Sequence, residues 1–141
     1  MRYDFVKQSL SNLIDNGHLE RSDSILTVCS GLPEKELFKE MDFKHVTVSG
    51  LDERMPGDAV HPYDWRIENV QNLSFGENEY DFAFVSDGLH HCDSPHKALL
   101  EMFRVSRKGV IVFESRDSFL MRMATRLKLI PDYELDAVIH N

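Results

Sequence analysis

The sequence has little that would mark a secreted, membrane-spanning or redox-active protein. It contains only two cysteines, Cys29 and Cys92, without C-x-x-C spacing, so neither a disulfide framework nor a cysteine-based zinc site is expected. The longest apolar runs, near Phe82–Val85 and Val110–Phe113, are too short to cross a bilayer, and the N-terminus has no signal-peptide core. We therefore expect a cytoplasmic protein with no membrane partner.

Positive charge is also scarce. Lys and Arg total 16 against 24 Asp and Glu, which gives a formal net charge of -8 over 141 residues. Because binding to a phosphate backbone needs clustered cations, this balance disfavours a nucleic-acid partner and favours a small molecule. The length predicts a single domain over residues 1–141.

Strand and helix patterns alternate along the chain. Helices are predicted at residues 2–16, 33–41, from Pro95 to before Gly109, and 118–129; strands are predicted at 24–29, 45–51, 81–86 and 109–114, with a short strand at 65–68. The remainder of 52–75 is predicted to be mostly loop, because Pro56, Gly57 and Pro62 interrupt any helix.

This alternation predicts the α/β class, with a Rossmann-like, doubly wound, mostly parallel sheet and helices on both faces. Ligands of such sheets bind beyond the carboxyl ends of the strands, near the point where the strand order reverses. A tight loop there admits a ligand close to the backbone, and a carboxylate there can accept both ribose hydroxyls. The residues in these positions, which suit a nucleoside ligand, are Ser30-Gly31, Asp52, Asn69-Val70 and Ser86-Asp87-Gly88.

Three segments resemble successive motifs of class I S-adenosylmethionine-dependent methyltransferases of the type 11 group, which includes quinone-biosynthesis methyltransferases. They are SILTVCSGLPE at 24–34, VTVSGLDERM at 46–55, and the segment 69–114. The third holds the strand DFAFVS, a Leu-His-His turn, an Arg-Val turn and the strand GVIVFE in the family's order. The resemblance implies S-adenosylmethionine as cofactor and transfer of its methyl group to a small-molecule acceptor.

The resemblance also implies which residues after the strands border the cofactor. These are Ser30 and Gly31 for the methionine part, Asp52 for the ribose, Asn69 and Val70 for the adenine, and Ser86, Asp87 and Leu89 for the sulfonium, with Cys29 of the first loop as a further cofactor-binding residue.

The sequence departs from the family pattern in several places. Thr27 stands where the family has an acid, and Cys29 and Pro33 replace two glycines of the first loop. The helix that normally follows the second strand is missing, and the usual final antiparallel strands are lacking, so the domain is expected to be incomplete. An exposed fifth strand, Gly109–Phe113, would then favour homo-oligomers through its edge.

Histidine suits a general base near neutral pH, and His91 is the candidate when the acceptor must lose a proton. His90, His91, Cys92 and His96 lack a recognised metal-ligand spacing, so no metal site is predicted.

Two other function classes stay open. A degenerate methyltransferase fold could serve binding or assembly without catalysis, a reading that the altered first loop favours. A nicotinamide-binding domain would need G-x-G-x-x-G after the first strand, and the segment Cys29–Pro33 does not supply those glycines, although Asp52 has the right spacing.

Overall fold

The computed structural model describes residues 2–114, whose helices and strands alternate in chain order. They are α1 (Arg2–Asp15), β1 (Ser24–Thr27), α2 (Leu32–Glu40), β2 (His45–Gly50), β3 (Asp64–Ile67), β4 (Tyr80–Ser86), a 3-10 turn (Leu89–His91), α3 (Pro95–Val105) and β5 (Ser106–Phe113). The predicted helix at 118–129 lies outside the described residues. Within residues 2–114, each helix is too short or too polar to cross a bilayer.

The strands form one parallel sheet in the order β3-β2-β1-β4-β5. The chain runs from the central β1 outward to β3, then returns beside β1 and continues outward to β5. The strand order therefore reverses between β1 and β4, as a doubly wound sheet requires. The predicted fold class is confirmed.

Side chains of the central strands alternate between two apolar cores, because successive strand residues point to opposite faces. Ile25, Phe82 and Phe84 belong to the core that α1 and α2 cover. Leu26 and Val85 belong to the core that α3 covers. Helices on both faces are thus confirmed.

Two crossovers lack a helix. Residues 51–63 and 68–79 connect β2 to β3 and β3 to β4 through turns alone. Val60 is fully buried and Tyr63 donates its hydroxyl to the carbonyl of Phe43 at 2.8 Å, so this loop fills the place of a helix in the core. The prediction that no helix follows the second strand is confirmed.

Strand β5 begins at Ser106 rather than at the predicted Gly109. Its first residues are polar and precede the apolar run that predicts the strand, yet the Ser106 hydroxyl donates to the carbonyl of Met102 at 2.5 Å and the chain passes directly from helix to strand. Arg107 and Lys108 are exposed and reach carboxylates that the sequence alone does not place nearby.

Asp81 ties the start of β4 to its two neighbouring strands. Its carboxylate accepts from the Ser24 amide and hydroxyl, both at 3.0 Å, and from Arg107 at 2.7 Å. Burial works to raise the pKa of Asp81, but the hydrogen bonds from Ser24 and Arg107 outweigh it and hold the pKa at about 2, against an ordinary 3.8. The Asp81 carboxylate therefore binds a proton more weakly in the folded protein than in the unfolded chain.

A carboxyl with a lowered folded-state pKa stabilises the fold above its unfolded pKa, and that contribution is lost as the pH falls through the folded pKa. For Asp81 we expect a loss of at most about 2 kcal/mol between pH 4 and about pH 2, reduced by solvent screening because the Arg107 side chain is 60% exposed. Urea denaturation of the wild type and Asp81→Asn should show the two converging as the pH falls. The exposed Asp58→Asn control should track the wild type throughout.

Candidate functional site

The loop after β1 crosses the end of β2. Cys29 adopts a left-handed backbone with φ 51°, and the next amide, that of Ser30, donates to the carbonyl of Ser49 at 2.9 Å. A Cβ on Gly50 would lie 2.9 Å from the Ser30 carbonyl oxygen and 3.0 Å from the Trp65 ring. Only glycine admits this close approach, and the sequence analysis did not identify Gly50 as part of the site.

Glu34, in the first turn of α2, fixes the same loop through its carboxylate. One of its carboxylate oxygens accepts from the Gly31 amide at 2.9 Å, and the other accepts from the Tyr3 hydroxyl at 2.6 Å. Glu34 is buried, which is uncommon for a carboxylate unless it is paired in this way. Sequence reasoning missed Glu34, although a glutamate three residues after a helix N-cap is a recognisable signal.

The loop after β1 also meets the turn after β4. A Cβ on Gly88 would stand 2.4 Å from the Cys29 Cβ and 3.3 Å from its sulfur. The Cys92 thiol donates to the Gly88 carbonyl at 3.7 Å. The two turns at the reversal point of the sheet are therefore in direct contact.

Both cysteines are protonated thiols at neutral pH. Desolvation, with smaller effects from Cys92 and Glu114, raises the pKa of Cys29 to about 12 even though the residue as a whole is exposed. Desolvation also raises the pKa of Cys92. Since the thiolate is the reactive form, Cys29 contributes packing at this turn rather than nucleophilic chemistry.

Asp52 follows β2 with its carboxylate partly exposed. It accepts from the Arg54 amide at 3.0 Å and from the Arg54 guanidinium at 2.9 and 3.3 Å. The hydrogen bond from the Arg54 side chain, followed by that from its amide, lowers the pKa of Asp52, so the group is ionised at neutral pH. The Arg54 side chain is 79% exposed, and an exposed ion pair of this kind contributes little stability.

Asn69 and Val70 follow β3. The side-chain oxygen of Asn69 accepts from the Gln71 amide at 2.9 Å and so shapes the turn. Among residues 2–114 no group bonds its second lone pair or its amide nitrogen, and both can meet a ligand. Val70 is buried in the core under α3, so only its main chain can meet a ligand.

The turn after β4 carries Ser86, Asp87 and Leu89. Ser86 and Leu89 are buried, and the Asp87 amide donates to the Phe113 carbonyl at 2.7 Å from a left-handed backbone with φ 49°. This hydrogen bond fixes the turn against the end of β5.

Glu114 holds the following residues, and sequence reasoning missed it as well. Its Oε1 accepts from the amides of Gly88 and Leu89 at 2.9 and 2.7 Å. Its Oε2 lies 2.8 Å from Nδ1 of His90. The His91 ring packs against that of His90 with centroids 4.0 Å apart, and within residues 2–114 its side chain has no hydrogen bond.

The chemistry of this edge suits a nucleoside cofactor. Asp52 offers an ionised acceptor. Leu51, which precedes it in the chain, is 67% exposed, and Ile67, which pairs with Gly50 at the end of the neighbouring strand, is 54% exposed. Apolar side chains next to a carboxylate match a base joined to a ribose. The Met55 methyl group approaches Gly31, since a Cβ on that glycine would lie 3.8 Å away, and the loop after β2 therefore closes over the first loop.

Known proteins resemble this chain in sequence and in fold. The methyltransferase domain family matches residues 28–113. The mitochondrial 2-methoxy-6-polyprenyl-1,4-benzoquinol methylase of Caenorhabditis elegans is 35% identical over 46 residues, which cover 33% of this chain and 16% of that protein.

Solved structures share the fold. A SAM-dependent methyltransferase from Thermotoga maritima has a TM-score of 0.57 and 23% identity, covering 90% of this chain and 62% of its own. The cyclase SpnF has a TM-score of 0.58 and 18% identity, covering 72% of this chain and 41% of its own. The chain thus spans less than two thirds of the length of each of these relatives. Because the family pattern covers more than half of the 141 residues, this chain belongs to the methyltransferase domain family, whose cofactor is S-adenosylmethionine.

Proposed function

We propose that the protein transfers the methyl group of S-adenosylmethionine to a small-molecule acceptor. The observation that carries this proposal is the ionised Asp52 at the end of β2, beside the point where the first loop crosses Gly50. This arrangement puts a ribose acceptor next to a closely approaching backbone, at the edge where the strand order reverses.

The site residues keep the roles that the family resemblance implies. In the proposal, Ser30 and Gly31 border the methionine part, Asp52 binds the ribose, Asn69 and Val70 meet the adenine, Ser86, Asp87 and Leu89 border the sulfonium, and Cys29 is a further cofactor-binding residue of the first loop. The contact between Cys29 and Gly88 supports this set. It brings the loop after β1, which would border the methionine part, against the turn after β4, which would border the sulfonium.

Bound S-adenosylmethionine would supply an already activated methyl group. The protein's own contribution is then chiefly to hold the two reactants in line and to keep water out. Buried Ser86 and Leu89 give the turn after β4 a fixed shape for this purpose. Where the methyl acceptor must lose a proton, a histidine at this turn serves as general base, and the sequence points to His91.

A second candidate is a degenerate domain that binds a ligand or a partner without catalysis. The sequence feature behind this alternative is Cys29, which stands where the family pattern has a glycine of the first loop. The cyclase SpnF, which shares the fold, is named for a reaction other than methyl transfer.

The remaining proposals concern domain organisation, location, partners and oligomeric state. We keep a single domain over 1–141, a cytoplasmic location, no nucleic-acid partner and no resident metal as proposals from the sequence. Among the described strands β5 lies at the sheet edge with Val112 41% exposed, which supports pairing of two chains along it.

Calorimetric titration with S-adenosylmethionine and S-adenosylhomocysteine tests the proposed function. We expect saturable binding of both at one site, and no binding of NADH, because the loop after β1 lacks the dinucleotide glycines. Absence of binding would contradict the methyltransferase proposal and favour the degenerate domain. Binding of NADH alone would contradict both.

A further inference from the structure

The Glu114 carboxylate and the His90 imidazole form a pair at the carboxyl ends of β4 and β5. Glu114 Oε2 lies 2.8 Å from His90 Nδ1, while Glu114 Oε1 accepts from the amides of Gly88 and Leu89. Three hydrogen bonds thus fix both the carboxylate and the turn that carries the histidine. We propose that Glu114 holds His90 in one tautomer so that the other ring nitrogen accepts the proton of the methyl acceptor.

The tautomer follows from the chemistry of the carboxylate. An ionised carboxylate only accepts hydrogen bonds, so the hydrogen of this contact must reside on Nδ1 of His90. In the neutral imidazole the second nitrogen, Nε2, then carries a lone pair and no hydrogen. Glu114 is therefore a positioning residue, and His90 is the group that meets the substrate.

The geometry distinguishes His90 from the neighbouring His91. The His90 side chain is 41% exposed, so its ring is open to a substrate. The Glu114 side chain is only 25% exposed. Within residues 2–114 no hydrogen bond orients His91. Of these two histidines, His90 is the one that a hydrogen bond between described residues already orients, and a positioned side chain is what general-base catalysis uses.

This role rests on the proposed methyl transfer and narrows its acceptor. The acceptor's bond to hydrogen breaks and the proton passes to Nε2 of His90. The freed electron pair forms the bond to the methyl carbon as the carbon–sulfur bond breaks and leaves its pair on sulfur. The Glu114–His90 pair therefore serves a nucleophile that must lose a proton, such as a hydroxyl or an acidic carbon. A tertiary amine or a thioether does not need it.

Glu114→Gln is a sharp test because it changes the donor pattern and leaves the shape of the side chain unchanged. The glutamine oxygen can still accept from the Gly88 and Leu89 amides, while its NH₂ group donates to Nδ1 of His90. Nitrogen-15 NMR of the histidine side chains at pH 8, with His90→Gln used for assignment, reports the tautomer directly. We expect the Nδ1–H form in the wild type and in Glu77→Gln, and the Nε2–H form in Glu114→Gln.

Diethyl pyrocarbonate, which acylates an unprotonated ring nitrogen, gives a second readout. Mass spectrometry of the peptide containing His90 should show several-fold slower modification in Glu114→Gln than in the wild type, because neither ring nitrogen then offers a free lone pair. Glu114→Asp, which keeps the carboxylate, should restore part of the reactivity. A purely structural role of Glu114 would not produce this difference between Gln and Asp.

Several results would overturn the proposal. These are an Nε2–H tautomer in the wild type, a tautomer unchanged by Glu114→Gln, or His90 resonances that shift on adding one equivalent of Zn²⁺ or Mg²⁺. The last would instead identify a metal site, since Asp87, His90 and Glu114 offer ligand atoms within 4.8 Å of one another. The NMR readout needs no S-adenosylmethionine, so failure of the calorimetric titration and failure of the tautomer test are separate results.

Discussion

The Asp52→Ala variant is expected to bind S-adenosylmethionine about a hundredfold more weakly than the wild type, on the basis of two lost hydrogen bonds from ribose hydroxyls to a charged acceptor at about 1.5 kcal/mol each. The carboxylate is ionised and partly exposed at the end of β2, so it is ready to accept both bonds. Isothermal titration calorimetry measures the dissociation constant directly. Because Asp52 is in a surface loop, its removal should leave the free energy of unfolding nearly unchanged.

Two matched variants distinguish the effect of the Asp52 carboxylate on binding from the effects of its neighbours. Glu53→Ala removes an adjacent exposed carboxylate, and we expect binding equal to that of the wild type. Arg54→Ala removes the ion pair with Asp52 and should bind equally or slightly more tightly, because both carboxylate oxygens are then free of the guanidinium. Equal weakening by Asp52→Ala and Arg54→Ala would mean that the loop conformation, and not a ribose contact, controls affinity.

The Gly88→Ala variant is expected to lose about 1–3 kcal/mol of the free energy of unfolding, the usual cost of forcing an extra methyl group into a packed site. Its Cβ would stand 2.4 Å from the Cys29 Cβ, an atom attached to the backbone that cannot rotate aside. The φ of Gly88 is −123°, which alanine adopts readily, so the cost comes from the collision and not from backbone strain. Urea denaturation followed by circular dichroism gives the free energy.

The same collision separates the loop after β1 from the turn after β4, so we also expect weaker binding of S-adenosylmethionine. Gly57→Ala is the control, because nothing lies within 4 Å of the added methyl group. It should match the wild type in both stability and binding. If Gly88→Ala behaved like Gly57→Ala, the two turns would not be in contact in solution.

The elements of the fold were predictable because their signals are local. The apolar spacing of α1 and the runs in β1, β2 and β4 mark elements that the structure places within a few residues of the prediction. The Ser94 cap and Pro95 fixed the start of α3, where the Ser94 hydroxyl accepts from the Lys97 amide. The start of β5 was predicted wrongly, because its first polar residues have partners that are remote in sequence: Arg107 pairs with Asp81 on β4, and Lys108 pairs with Asp23 just before β1.

The candidate site was predictable in part. The positions after each strand follow from the parallel topology alone, which is why Ser30 and Asp52 could be selected from the sequence. Glu34 carries a local capping signal that was overlooked, whereas Gly50 and Glu114 could not be selected, because each acts through a partner on another element. Their own neighbours in the sequence give no indication of that partner.

The sequence by itself determined the order of strands and helices, the parallel class of the sheet and the family, because apolar periodicity, caps and motif order are properties of short segments. Only the tertiary structure decided which residues meet. The strand order brings Asp81 to Ser24 across 57 residues and His90 to Glu114 across 24. Such contacts depend on the register and packing of whole elements, so they arise only when all of the strands are assembled.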